Sequence, residues 1–182
     1  MIPLAFFRKR LYILKLLWYY LHTLFNRAAR DERWRICLNK ISVYCDPAGL
    51  EELHSRTPYN LRKDLKDIDD DTIAQIAEEL GNEIKEGLNR PPTAVALRWG
   101  KNRKAACAKI RTVDVARDSG KSGGYRCIVL VDYVNNSAFL LHLYRHGHGE
   151  NDNIDRKSRN MLDKLVDEYS ASLEQQAKKQ LV

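Results

Sequence analysis

The stretch Tyr125–Tyr133 constrains the fold more than any other. Its centre, Ile128-Val129-Leu130-Val131, is continuously apolar. A strand with one wet face alternates apolar and polar residues, whereas a strand covered on both faces does not. The segment is therefore expected at the centre of a sheet. Asn135-Asn136 follows as a turn signal, and Ala138–Arg145 then reads as the second arm of a hairpin. Ala94–Trp99 and Lys109–Val115 are two further candidate strands, and Ile36–Tyr44 is another.

Helices flank these strands. Asp69-Asp70-Asp71-Thr72 supplies an N-cap and an acidic first turn. Ile73, Ile76, Ala77, Leu80, Ile84 and Leu88 then form one apolar stripe, which Asn89-Arg90-Pro91-Pro92 ends. Asp155 caps a last helix whose apolar face is Met161, Leu162, Leu165, Val166 and Tyr169. The order predicts an α+β fold: a small antiparallel sheet of three to four strands with helices packed on one side. The expected division is an N-terminal helical extension over residues 1–45 and a main domain over 46–182.

The extension needs separate treatment. Arg8, Lys9 and Arg10 precede an apolar run, Leu11–Phe25, broken only by Lys15, His22 and Thr23. That imitates a signal peptide, but Asn26-Arg27-Ala28-Ala29 makes a poor cleavage site. Fifteen residues give about 22 Å of helix, short of the ~30 Å hydrocarbon core. Trp18, Tyr19 and Tyr20 suit a membrane interface. Leu14, Leu17, Trp18, Leu21 and Phe25 fall at helical spacing and suit packing on protein instead. The expectation is a packed helix, no stable membrane insertion, and a cytoplasmic protein.

Charge narrows the partner. Net charge is +7, from 31 Lys+Arg and 24 Asp+Glu. Residues 89–149 hold 11 basic and 3 acidic side chains, while residues 46–88 hold 5 and 12. Such asymmetry is the footprint of a nucleic-acid surface; the competing reading is a solvated basic face. The cysteines, Cys37, Cys45, Cys107 and Cys127, form no C-x-x-C and no zinc spacing. Cys127 lies in an apolar run and reads as a small buried hydrophobe.

The most specific motif is Gly120-Lys121-Ser122-Gly123-Gly124-Tyr125-Arg126 running into the apolar strand. It is not a P-loop, because the spacing differs and a strand follows rather than a helix. Lys109 and Arg111 on a strand, this loop, the hairpin, Asn151-Asp152-Asn153-Ile154-Asp155 and a Leu-rich helix together resemble the RelE/HigB-like toxins of bacterial type II toxin–antitoxin pairs. The resemblance covers about residues 60–172, and the extension has no counterpart in the compact members.

The resemblance implies a metal-independent endoribonuclease that needs no cofactor and cleaves mRNA, typically on the ribosome. It implies a cognate antitoxin, expected to be a helix-turn-helix protein. Arg126 matches the arginine of the family's glycine–glycine–aromatic–arginine motif and is expected on the scissile phosphate. Lys109 and Arg111, two apart on a strand, share a face and would bind RNA backbone. Lys104 and Lys121 are expected as further RNA contacts. The family's lysine after the last strand is missing from Tyr144-Arg145-His146-Gly147-His148-Gly149-Glu150. Its position falls on His148 without a gap and on Arg145 with one, so Arg145, His146 and His148 are the remaining catalytic candidates. His142, His146 and His148 share strand parity and could bind zinc, but no carboxylate or Cys completes the set, and no metal is expected. The rival functions are a ParE-like gyrase inhibitor and a non-enzymatic RNA-binding module.

Overall fold

A computed structural model describes residues 36–38, 41–145 and 153–179. The expected packing of Leu14, Trp18, Leu21 and Phe25 lies outside these residues. Among the described residues, seven strands form one sheet: β1 (Ile36–Leu38), β2 (Ile41–Tyr44), β3 (Asn89–Arg90), β4 (Ala94–Trp99), β5 (Ala105–Thr112), β6 (Tyr125–Asp132) and β7 (Ser137–Arg145). The helices are α1 (Glu51–His54), α2 (Leu61–Asp64), α3 (Asp70–Glu86) and α4 (Arg156–Lys179).

The fold class is α+β, as the order of elements predicts, but the sheet is larger than expected. Its strand order is β1-β2-β7-β6-β5-β4-β3. It is also mixed: β2 runs parallel to β7, and every other pairing is antiparallel. Ile36–Tyr44 forms two strands rather than one, with Leu38 paired to Ile41. These strands join the main sheet, so the sheet extends into the region expected to be a helical extension.

Helices cover both faces, not one. The reason lies in β6, whose apolar run has no polar face to leave in water. Cys127, Val129 and Val131 point into a core with Ile73, Ile76, Leu80 and Ile84 of α3. Ile128 and Leu130 point the other way, into a core with Leu162, Leu165 and Val166 of α4. Each such aliphatic side chain, taken from water, contributes about 1.5–3 kcal/mol.

Local signals set the helix starts. The Asp69 side chain accepts from Thr72 N at 2.8 Å. Asp155 does the same for α4, accepting from Lys157 N at 2.9 Å and Ser158 N at 3.0 Å. Helix α3 ends at Glu86, and Gly87 takes φ +105°, a conformation L side chains disfavour. Among the described residues, no helix is long and apolar enough to cross a membrane.

Candidate functional site

Strand register decides which basic side chains meet. Arg111 lies opposite Arg126, and Arg126 lies opposite Tyr144. One step inward, Lys109 lies opposite Ile128, and Ile128 opposite His142. Residues two apart on a strand share a face, so these two rows share the α4 face, where Ile128 packs. Helix α4 reaches the far end of that face, where the Tyr169 hydroxyl donates to Asp132 Oδ2 at 2.9 Å. The row Arg111–Arg126–Tyr144 sits at the opposite end of the same strands. Lys109, Arg111, Arg126, His142 and Tyr144 thus form one polar patch on the three central strands.

Within the patch, Arg126 is only 1% exposed. Its Nη1 donates to the Lys121 carbonyl at 3.0 Å, and its Nη2 to the Ser122 carbonyl at 2.9 Å. The fork expected on a scissile phosphate is thus held by its own glycine loop, and Arg126 positions that loop. Gly124 explains the second glycine of the motif: a Cβ there would lie 2.1 Å from the Thr112 carbonyl oxygen. A Cβ on Gly123 would meet nothing closer than 3.5 Å.

The other expected residues scatter. Lys121 Nζ bonds Glu83 Oε1 of α3, a buried carboxylate that also takes Arg90 Nη2 on Oε2. Lys121 therefore braces the loop against α3. Lys104 precedes the first residue of β5, about 23 Å of extended chain from Arg111. Arg145 pairs with Tyr125, so it lies on the α3 face, opposite to Arg126. Its Nε donates to Asp114 Oδ2 at 2.8 Å and its Nη2 to the Tyr125 hydroxyl at 2.8 Å. The guanidinium also rides over the Tyr125 ring, 5.1 Å from its centroid. Burial, first of all, raises the Tyr125 hydroxyl above its ordinary pKa. His146 and His148 lie outside the described residues.

One arrangement escaped the sequence. His142 Nδ1 lies 2.7 Å from Asp64 Oδ2, which also accepts from Leu143 N at 3.2 Å. Asp64 belongs to α2, 78 residues earlier. The His142 ring stacks with Tyr59, at 4.2 Å, and with Tyr144, at 5.1 Å. The parity of His142 and Tyr144 was readable, but neither Asp64 nor Tyr59 carries a local signal.

Three of the cysteines are poor candidates for a nucleophile. Cys45, Cys107 and Cys127 are fully buried free thiols, and burial pushes Cys45 and Cys107 up to about 12 and Cys127 upward too. Among the described residues, no three His, Cys, Asp or Glu side chains gather as a metal site. Compared with known proteins, the chain matches no family model, no curated protein and no solved structure.

Proposed function

We propose that the protein is the toxin of a toxin–antitoxin pair, a cytoplasmic endoribonuclease that cleaves mRNA on the ribosome without a metal. The observation that carries the reading is the cross-strand patch: Lys109, Arg111 and Arg126 in register with His142 and Tyr144 on one sheet face. RNA cleavage by its own 2′-hydroxyl needs a base near that hydroxyl, cations facing the phosphate, and a donor for the leaving 5′-oxygen. Lys, Arg and His side chains supply all of these without a carboxylate nucleophile. Aromatic rings beside the cations suit single-stranded RNA, whose bases stack on them.

In this reading Lys109 and Arg111 bind backbone phosphates, and Arg126 fixes the loop that borders them. The cognate antitoxin is a helix-turn-helix protein whose binding silences the patch. The rival with a specific observation behind it is a non-enzymatic RNA-binding module, because the Arg126 guanidinium is held by loop carbonyls.

The test is induced expression followed by primer extension on cellular mRNA. New 5′ ends within coding sequence support cleavage; intact messages with bound RNA support the rival. Affinity for a single-stranded RNA, measured against salt, separates both from a gyrase inhibitor. The double variant Lys109→Gln/Arg111→Gln should lower the log–log salt slope by about 1.4, the counterion release of two phosphate contacts. No RNA affinity at low salt leaves the gyrase inhibitor.

A further inference from the structure

We infer that His142 is the proton acceptor of the proposed cleavage and that Asp64 is its positioning residue; the inference rests on the ribonuclease reading above. Three observations meet at this side chain. First, the Asp64 carboxylate sits 2.7 Å from Nδ1 and also accepts the Leu143 amide, so it is an acceptor there and His142 Nδ1 carries the proton. A proton held on Nδ1 in this way leaves Nε2 as the ring nitrogen that faces away from Asp64.

Second, the ring is held by stacking as well as by Asp64. Tyr59 covers one side, 2° from parallel, and Tyr144 stacks with the ring at 27°. The His142 side chain keeps 22% of its surface exposed. Third, His142 shares its face with Lys109 and Arg111 through Ile128, the residue between them in the row. Adjacent strands are about 4.8 Å apart, so Lys109 and His142 stand about 10 Å apart across β6.

The step balances as follows. The 2′-hydroxyl proton passes to Nε2, and the oxygen lone pair forms a bond to phosphorus. The P–O5′ bond breaks, its electron pair leaves with O5′, and O5′ takes a proton from solvent. The imidazolium then returns its proton to solvent. The products are a 2′,3′-cyclic phosphate and a 5′-hydroxyl. Asp64 stabilises the imidazolium and does not itself take the proton.

The experiment uses the full chain and ribosomes programmed with a short mRNA. Binding is measured in parallel with an oligonucleotide bearing 2′-deoxyribose, which cannot be cut. His142→Asn keeps an amide donor where Nδ1 stood, so a purely structural bond to Asp64 survives while Nε2 is lost. His142→Asn should keep the wild-type melting temperature and RNA affinity and lose at least 100-fold in kcat. Asp64→Asn should lose about tenfold in kcat with KM unchanged. Wild-type kcat in His142→Asn overturns the inference and leaves the ribonuclease reading standing. If the His142 variant does not fold, wild-type kcat in Asp64→Asn overturns it equally. A wild-type protein that cuts no RNA, free or on ribosomes, overturns both.

Discussion

The two ends of the β5–β6–β7 unit are held in different ways. At the Asp132 end, the bonds are mostly local. Asp132 Oδ1 accepts from Val134 N at 2.9 Å and Asn135 N at 3.0 Å, and Oδ2 takes Asn135 Nδ2 at 2.7 Å. From elsewhere come the Tyr169 hydroxyl and two backbone bonds, Tyr133 N to the Lys104 carbonyl at 2.9 Å and Ser42 N to the Asn136 carbonyl at 2.8 Å. At the glycine-loop end, bonds join distant segments: Lys121 to Glu83, Arg145 to Asp114, Val113 N to Glu79. The side-chain bonds of the first end are centred on one residue, Asp132. The second is a junction of β5, β6, β7, the loop and α3, and its cations are engaged in holding that junction. A basic motif therefore does not imply that each of its basic residues faces a ligand.

The sharpest way to break the comparison is at the two glycines. Gly124→Ala should cost about 3 kcal/mol or more, because its Cβ would strike the Thr112 carbonyl oxygen and only a backbone shift relieves it. Gly123→Ala, one residue away, should be close to neutral in urea unfolding. Equal stability for the two variants would mean that the loop does not press on β5.

Next in size is Arg126→Ala, expected to cost about 2–3 kcal/mol. It leaves the Lys121 and Ser122 carbonyls without their donor and opens a cavity in a buried position. An unchanged urea midpoint, with lost RNA binding, would return Arg126 to the phosphate.

Arg145→Ala should cost about 1–2 kcal/mol, since it leaves the Asp114 carboxylate, which is 1% exposed, with only Arg117 Nε at 4.0 Å as a cation among the described residues. RNA affinity should stay within twofold of wild type, because Arg145 faces α3. A large loss of affinity at unchanged stability would return Arg145 to the candidate site.

The smallest effect is expected at the turn end. Asn135→Ala removes one side-chain bond to Asp132 while the two backbone donors remain, and should cost about 0.5–1 kcal/mol in the same unfolding series. A cost above that of Arg126→Ala would reverse the ranking of the two ends.

Much of the fold was legible because its signals are local. The caps at Asp69 and Asp155, the apolar stripe Ile73–Ile84 and the Asn135-Asn136 turn each act within a few residues, and each appears where the sequence places it. The continuous run of β6 announces a central strand, and its two apolar faces require helices on both sides of the sheet rather than on one. The strands beyond Ala94–Arg145 were under-read for another reason. Ile36–Leu38 and Asn89–Arg90 are too short to show a period, and they are strands only because a neighbour offers its hydrogen bonds.

The site divides along the same line. By itself the sequence determined which residues could carry charge near one another: Lys109 and Arg111 share parity, and the glycine motif delivers Arg126 to a strand start. Only the tertiary structure decided what those charges do. A one-residue step on an antiparallel ladder moves a side chain to the other face, so Arg145 meets Asp114 and Tyr125 while Tyr144 beside it meets His142. Asp64 reaches His142 because α2 docks on β7, and no spacing along the chain encodes a contact across 78 residues. Parity is a property of the covalent chain, whereas the partner of a buried polar group is whatever the packed elements bring within hydrogen-bond reach.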